Sequence, residues 1–415
     1  MTQVLGDVRV EIRNWLDANW DPELPLGDWR ARIADSGWGC PTWPAEWFGR
    51  GLSPEDARAV DEEFARIGAV GPALGVGMSL AAPTILRHGS DDIKGRFLRG
   101  IITGEDRWTQ LFSEPGNGSD LAGLTTHAVR SGDEWIVNGQ KVWNTGAHHA
   151  DYGLLVARTD WDVPKHAGLT YFVLPMKQPG VEVRPLKQAN GYSSFNEVFM
   201  TDARLPHANI IGEIGNGWSV ALTTLSHERG LATLRLPKFA EDAPRGRTAR
   251  EATDEATEYF KTYVWYPQRA GRPDLVISQA KTYGVNTNPR IRQKIADLVA
   301  FQRAAQWTVQ RAAANRKAGQ PGPEGSIAKL CGSEIARRSA RLHAEIVGAA
   351  AMIAGSDGPA NGIVPEIIIS VPAQSIAGGT DEIQRNIIGE RVLGLPKEPQ
   401  VDRDVPFREV RTNRG

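Results

Sequence analysis

The chain of 415 residues contains little cysteine and no long apolar run. Its two cysteines, Cys40 and Cys331, lie far apart and match no metal or redox spacing, which favours a reducing compartment over a disulfide framework. No stretch of about 18 consecutive apolar residues occurs, and the first residues lack the apolar core of a signal peptide. We therefore expect a cytoplasmic protein without a membrane span.

Charge of either sign is not in excess. Lys plus Arg number 48 against 49 for Asp plus Glu, so the net charge of −1 indicates neither nucleic acid nor an anionic membrane as a partner. The eight histidines include the adjacent His148 and His149 but show no zinc-type spacing, and we expect no bound metal. Hydrophobic residues make up 41%, which is typical of a globular protein with a sizeable core.

Helical patterns occupy both ends of the chain. Near the start, Ser53 before Pro54 and Ser90 before an acidic pair are typical helix N-caps. Later, the spacing of four apolar residues predicts one buried helix face, and the segment at 325–356 predicts a second long helix. Those four residues are Ile291, Ile295, Leu298 and Val299.

The middle of the chain, roughly 110–210, has short apolar runs separated by Gly and Pro. These predict a small antiparallel β-unit. Within it, Asn138-Gly139 stands between "EWIV" and "QKVW" and predicts a hairpin with a type I′ turn. The local patterns thus predict helices, a β-unit and a helical bundle, with a charged and then aromatic insert at 239–273 whose charges are typical of a solvated helix face.

Two motifs have the composition of a ligand site. In "WTQLFSEPGNGSDLAGL", residues 115–118 predict a tight turn whose backbone N–H groups can approach a ligand, with Ser113, Ser119 and Asp120 beside it. In the next motif, Trp143 and Thr145 alternate along a strand and therefore share a face that suits a flat aromatic ring. Taken singly, an ordinary loop and a tryptophan that covers its own sheet are the commoner explanations.

In this order, the motifs resemble the acyl-CoA dehydrogenase family over nearly the whole length. The resemblance is carried by "GWGCPTWPAEWFGRGLS", "FSEPGNGSDLAGL", "VNGQKVWNTGAHHADYGLLVART", "FNEVFMTDARLPHANIIGEIGNGW" and "GGTDEIQRNIIGERVLG". It implies an α+β multidomain fold: an N-terminal helical domain at 1–107, a middle antiparallel β-domain at 108–212 and a C-terminal four-helix bundle at 213–415. It also implies a FAD-dependent oxidoreductase that acts on the CH–CH bond of an acyl-CoA thioester.

The resemblance assigns roles to individual residues of this chain. Ser113 would lie near the reactive N5 of the flavin, Ser119 near the pantetheine–phosphate end of the substrate, and Arg229 beside the substrate. The residues that the resemblance places against the flavin are Phe112, Ser113, Trp143, Thr145, Gly379 and Thr380.

The catalytic base is expected at an unusual position. Many family members carry a glutamate directly before the Gly-Thr pair, but here that position is Gly378. Members that resemble isovaleryl-CoA dehydrogenase instead place the base before an arginine on the first helix of the bundle, which matches Glu228-Arg229. Burial against flavin and acyl chain raises the pKa of such a glutamate toward the operating pH. We therefore expect Glu228 to be the base, while His227 has no assigned role.

The chain departs from the family where a neighbouring subunit usually grips the adenosine side of FAD. Glu345 and Ala349 replace a glutamine and a glycine, and Ala280 replaces an arginine. A carboxylate facing a pyrophosphate is repulsive. The chain is therefore expected either as a homo-oligomer, such as a tetramer, or as half of an α2β2 complex with a related subunit, of a kind that acts on steroid side-chain thioesters.

The leading function is dehydrogenation of an acyl-CoA to the trans-2-enoyl-CoA, with electrons passed to an electron-transfer flavoprotein. An acyl-CoA oxidase or flavin monooxygenase on the same scaffold is the enzymatic alternative. A non-catalytic subunit of a heteromeric acyl-CoA dehydrogenase is the other. The acyl group itself does not follow from the motifs.

Overall fold

The computed structural model describes residues 2–228, 245–318, 322, 324–400 and 402–410. They divide into two compact units. The first comprises the described residues of Met1–Leu186, Ser194–Thr262 and Val401–Gly415, and the second those of Lys187–Ser193 and Tyr263–Gln400.

Five helices open the first unit. They are α1 (Thr2–Asn19), α2 (Leu26–Asp35), α3 (Pro54–Ile67), α4 (Ala82–His88) and α5 (Asp91–Thr103). Both predicted caps are confirmed, because the Ser53 hydroxyl accepts from the Asp56 N–H at 3.1 Å and the Ser90 hydroxyl from the Ile93 N–H at 3.3 Å. A five-residue π-helical turn, Gly77–Ala81, leads directly into α4.

A seven-stranded sheet follows, with the order β1-β4-β2-β3-β7-β6 and β5 paired to β4. The strands are β1 (Trp108–Leu111), β2 (His127–Ser131), β3 (Glu134–Thr145), β4 (Tyr152–Arg158), β5 (Leu169–Pro175), β6 (Val181–Leu186) and β7 (Phe195–Pro206). The predicted antiparallel pairing holds for β2–β3, β3–β7, β6–β7 and β4–β5, but β1 runs parallel to β4. The sheet is therefore mixed.

The hairpin prediction at Asn138-Gly139 is wrong. Both residues lie inside β3, and the β2–β3 turn comes earlier, between Ser131 and Glu134. The β3–β7 register shifts at Gly139, whose φ is +152° and whose added Cβ would stand 2.3 Å from the Thr126 hydroxyl. The Asn-Gly pair therefore lies at a β-bulge and not at a turn. Glycine suits this position because it tolerates the bulge and allows Thr126 to approach closely.

Two further helices belong to the first unit, α6 (Gly217–Glu228) and α7 (Arg247–Lys261). From the sequence, α6 was expected as the first helix of the bundle. It packs instead against α4 and β5, where buried hydroxyl groups meet. This contact places the last turn of α6 beside the β-sheet.

The second unit consists of helices arranged around one long helix. They are α8 (Tyr266–Arg269), α9 (Val276–Thr282), α10 (Pro289–Lys317), α11 (Glu324–Val347), α12 (Ile363–Ser370), α13 (Pro372–Ile376) and α14 (Asp381–Arg391). The long helix is α11, and each of the other helices except α8 packs against it. The two predicted long helices are confirmed, although the second ends at Val347 and Val299 is 41% exposed, outside the predicted buried face.

Among the helices of the described residues, none combines the length and apolar character needed to cross a membrane. The fold class expected from the sequence, with helices at both ends and a β-domain between them, is confirmed.

Candidate active site

A buried ion pair fixes the position of the loop that follows β1. Lys141 on β3 is fully buried, and its ammonium donates to the Phe112 carbonyl at 2.9 Å and to the Glu114 carboxylate at 3.1 Å. Glu114 also accepts from the backbone N–H groups of Thr125 and Thr126, each at 2.8 Å. These bonds place Phe112 and Ser113 at a defined position on the sheet.

The charge state of this pair follows from its surroundings. Burial alone would raise the pKa of Glu114, but the Lys141 charge and the hydrogen bonds from Thr126 and Thr125 outweigh it and hold the pKa at about 2. Glu114 is therefore ionised at neutral pH. A buried pair with its remaining lone pairs satisfied defines geometry strongly, because the loss of one partner would leave an uncompensated charge.

Trp143 and Thr145 lie at the end of β3, around Phe195. The Trp143 ring meets the Phe195 ring edge-on at 5.7 Å, and Thr145 pairs with Phe195 across the ladder. Asn144 between them is buried and donates to the Gln110 carbonyl at 2.7 Å. The two predicted residues therefore flank one phenylalanine, while the residue between them points into the protein.

Trp143 itself is in a costly conformation. Its φ is +66°, it sits at a register shift in the β3–β7 ladder, and it is 56% exposed. Positive φ is unfavourable for a bulky residue, and strained backbone positions cluster at active sites and ligand clamps. This arrangement fits a flat ring such as isoalloxazine, which would cover the indole and reach the neighbouring Thr145 hydroxyl.

A buried hydroxyl network fixes α6. Tyr171 on β5 packs edge-on against Phe112 at 5.8 Å, and its hydroxyl is 2.9 Å from the Thr224 hydroxyl of α6. Thr224 also meets Thr84 of α4 at 2.9 Å. Glu228 lies one helical turn beyond Thr224 and is half-buried. A chain of direct contacts thus runs from Phe112 to the turn that carries Glu228.

One histidine, His88, contacts α6, and another, His227, belongs to it. The His88 Nε2 is 2.8 Å from the Thr223 hydroxyl, and burial together with the Arg87 charge lowers the pKa of His88. The same two causes lower the pKa of His227. Both imidazoles are therefore uncharged at neutral pH. Arg229, the residue expected beside the substrate, lies outside the described residues.

Ser119 lies in an exposed loop at the opposite end of α6. The next residue, Asp120, is 3.3 Å from the Lys165 ammonium, which also binds Asp402 at 2.9 Å. The adjacent His166 packs edge-on against Trp218, in the first turn of α6, at 4.8 Å. The loop of Ser119 is therefore linked to the first turn of α6, whereas Glu228 lies in the last turn of the same helix.

The remaining predicted residues belong to the second unit. Gly378 and Gly379 have φ of +67° and +84°, and the Gln384 side-chain amide donates to their carbonyls at 3.1 and 3.4 Å. The Thr380 hydroxyl caps α14 by accepting from the Ile383 N–H at 3.3 Å. Accepting this bond leaves the hydroxyl's own proton available to a ligand.

Two carboxylates of the second unit are paired with bases. Asp381 binds Lys329 at 3.0 Å and also binds Arg337; burial opposes but does not outweigh these contacts, which lower the pKa of Asp381. Glu345, at the position of the expected glutamine, binds Lys294 at 2.6 Å. Its charge is thus largely balanced, and the repulsion of a pyrophosphate expected from sequence is weaker than that of a bare carboxylate.

Sequence reasoning missed the residues that support the site. Lys141, Glu114, Tyr171 and Gln384 are all buried, and none was assigned a role. A lysine in the middle of an apolar strand was a visible signal, because such a residue is rarely fully buried without a partner. Nothing local identified the partner, since Glu114 lies 27 residues away.

Comparison with known proteins identifies the family. Family models of the acyl-CoA dehydrogenase N-terminal, middle and C-terminal domains match residues 8–105, 109–203 and 276–393. The acyl-CoA dehydrogenase IpdE1 of Mycolicibacterium smegmatis is 36% identical, over 94% of this chain and 98% of the relative. The chain therefore belongs to the acyl-CoA dehydrogenase family of oxidoreductases.

Solved structures are similar along nearly the whole chain. A steroid acyl-CoA dehydrogenase, Tcur3481–Tcur3483, superposes with a TM-score of 0.65 at 25% identity, over 95% of this chain and 98% of that one. The ChsE4–ChsE5 complex of Mycobacterium tuberculosis superposes with a TM-score of 0.63 at 27% identity, with the same coverage.

Proposed function

We propose that the chain binds FAD and dehydrogenates an acyl-CoA thioester between its α and β carbons, with Glu228 as the base. The observation that supports this proposal is the chain of contacts from Phe112 through Tyr171 to Thr224, which links the loop of Ser113 to the helix that carries Glu228. The proposal needs a carboxylate near the flavin edge, and the family's more common position for it is occupied by Gly378.

The residues around Glu228 suit proton abstraction. The carboxylate takes the α-proton, and burial together with the Arg87 charge favours the neutral forms of His88 and His227. Bound FAD would accept the β-hydrogen as hydride. A base in hydrogen-bond reach of the proton contributes roughly 100- to 10,000-fold to the rate.

The residues that would hold the flavin are those around the strained Trp143. Its exposed indole covers one side of the ring, Thr145 bonds the ring edge, and Phe112 and Ser113 stand on the loop that Lys141 fixes. For Gly379 and Thr380, contact with the flavin stays a prediction from the family resemblance. Ser119 would bind the pantetheine end of the CoA.

Glu228→Gln tests the proposal, because it keeps the size of the side chain and removes the base. Purified with FAD, the variant should lose at least about 100-fold in kcat while its flavin content and absorption spectrum stay unchanged. Glu213→Gln, an exposed glutamate just before α6, is the matched control and should keep full activity. An unchanged rate in Glu228→Gln would place the base elsewhere.

The electron acceptor is part of the same proposal. A dehydrogenase passes its electrons to an electron-transfer flavoprotein and reacts slowly with oxygen. Turnover with an electron-transfer flavoprotein, without matching oxygen consumption, is the expected outcome. Rapid oxygen consumption on addition of acyl-CoA would instead identify an oxidase.

We further propose that the chain works with a related subunit that completes the adenosine side of the FAD site. Glu345 presents a carboxylate bound to Lys294 where an amide donor was expected. The similar ChsE4–ChsE5 structure is a complex of two proteins. The chain expressed alone should contain substoichiometric FAD; a homotetramer with one FAD per chain would overturn this proposal, while leaving the assignment of Glu228 intact.

A further inference from the structure

Helix α7 lies in the insert that the sequence left without a role, and it is anchored to the N-terminal helices. At its start, the Thr248 N–H donates to the Pro22 carbonyl at 3.0 Å and the Thr248 hydroxyl to the Leu24 carbonyl at 2.6 Å. Ala249 and Ala256 are buried on the same side. The helix is therefore docked along one face.

The expected solvated charges contribute to this docking. Glu251 accepts from the Leu26 N–H at 2.8 Å and so caps the first turn of α2, for which no side-chain cap comes from the preceding Pro25. Glu255 binds Arg30, a guanidinium that is only 3% exposed, at 2.6 Å. These contacts hold α7 in one position on α2. The C-terminal end of α7, its far end, therefore has a defined position.

That far end reaches a residue that precedes the π-helical turn. The Tyr259 ring lies against Gly75, where an added Cβ would stand 3.4 Å from the ring, directly before the π-helical turn Gly77–Ala81.

The direction of α6 indicates that the acyl group lies beyond the end of this helix that carries Glu228. Its first turn, at Trp218, is linked through His166 to the loop of Ser119, where the CoA end is proposed to bind. Its last turn carries Glu228 about 15 Å farther on. An acyl chain whose α-carbon is at Glu228 therefore extends past this end of α6, away from Ser119.

The π-helical turn packs against the same helix, α6. Thr223 meets His88 and Thr224 meets Thr84, so two side-chain hydrogen bonds join α6 to α4. α6 also packs against the π-helical turn that precedes α4. Val76 and Met78 there are only half-buried, and Tyr259 stands at the far end, against Gly75. π-helical turns frequently occur at functional sites.

We propose that Tyr259 forms the end wall of the acyl pocket and thereby sets which acyl groups the enzyme accepts. This inference rests on the proposed dehydrogenation, because Glu228 defines where the acyl chain starts. The ring is held from behind by α7 and by Phe260, whose ring is 5.3 Å away. An aromatic side chain on an anchored helix forms a firmer boundary than a side chain on a loop.

Substitutions that change the volume at this position test the proposal. Tyr259→Ala should raise the ratio of kcat/KM for dodecanoyl-CoA over butyryl-CoA by at least about tenfold, because a few methylene groups in an apolar pocket have effects of this size. Tyr259→Trp should lower the ratio. Tyr259→Phe, which keeps the ring, and Thr257→Ala, on the exposed face of α7, should leave it unchanged.

A binding measurement separates this inference from the proposed reaction. Calorimetry should show the same change of preference in the dissociation constants of dodec-2-enoyl-CoA and but-2-enoyl-CoA, without any turnover. If the preference is unchanged in both Tyr259→Ala and Tyr259→Trp, in folded protein with normal FAD content, the proposal that Tyr259 forms the end wall is wrong. If the unmodified protein shows no turnover but the variants still shift the binding preference, the proposed dehydrogenation is wrong and the proposed role of Tyr259 stands.

Discussion

The Lys141 ammonium and the Glu114 carboxylate form an ion pair of 3.1 Å in which both side chains are at most 6% exposed. The pair connects β3, which carries Trp143 and Thr145, to the loop that carries Phe112 and Ser113. Two segments 27 residues apart are thereby held in one arrangement. The expected cofactor residues Phe112, Ser113, Trp143 and Thr145 lie on the two segments that this contact joins.

Removal of one partner should destabilise the first unit strongly. Lys141→Met leaves the Glu114 charge buried without its cation, for which a loss of about 3–5 kcal/mol in the free energy of unfolding is expected. Urea unfolding followed by tryptophan fluorescence measures it. Lys177→Met removes a cation that is 75% exposed and paired with Asp151, and should cost less than about 1 kcal/mol. Equal losses in the two variants would contradict the role of burial.

The same pair predicts how stability depends on pH. The pKa of Glu114 is about 2 in the folded protein against an ordinary 4.5, so its ionised form stabilises the fold by about 3 kcal/mol at neutral pH. This contribution is complete above about pH 5 and is lost as the pH falls toward 2. The difference in unfolding free energy between the unmodified protein and Glu114→Gln should therefore shrink from pH 7 to pH 3. A difference independent of pH would mean that the carboxylate charge is not involved.

Gly378 and Gly379 provide a matched pair of substitutions. Both have positive φ, so alanine is strained by about 1–2 kcal/mol at either position. An added Cβ at Gly378 meets nothing within 4 Å, whereas at Gly379 it would stand 2.6 Å from the Gln384 amide nitrogen. Gly379→Ala should therefore lower the melting temperature further and release more FAD than Gly378→Ala. Identical behaviour would show that Gln384 moves aside without cost.

The open space at Gly378 also allows a test of the position of the base. Gly378→Glu in the Glu228→Gln background restores a carboxylate at the family's more common position. We expect a partial recovery of kcat, measurable above Glu228→Gln alone, with Gly378→Gln in the same background as the uncharged control. Recovery in the glutamine control would exclude a carboxylate base as its cause.

The segment 402–410 should stabilise the β-domain. Phe407 is buried, stacks on the Arg158 guanidinium at 3.4 Å, and donates its N–H to the Val163 carbonyl at 2.9 Å. Phe407→Ala should cost about 3–5 kcal/mol of unfolding free energy, as other buried Phe truncations do. The exposed Arg403→Ala is the control and should stay within about 0.5 kcal/mol. A Phe407→Ala variant as stable as this control would mean that the segment does not contribute.

Several features followed from the sequence because they depend on short stretches of chain. The serine caps of α3 and α5 need only neighbouring backbone groups, and β2 to β7 lie within the block of short apolar runs at roughly 110–210. The family followed from motifs that are each continuous in sequence. These signals are local, so periodicity and turn chemistry suffice to detect them.

Tertiary structure decided what depends on residues far apart in the chain. Asn138-Gly139 has the local chemistry of a hairpin turn, but the approach of Thr126 and the pairing with β7 keep it inside one strand. Lys141 found its carboxylate 27 residues away, and α7 found its place on α2 through contacts more than 200 residues apart. Such contacts are selected by burial and by the satisfaction of charges, and no local pattern in the sequence records them.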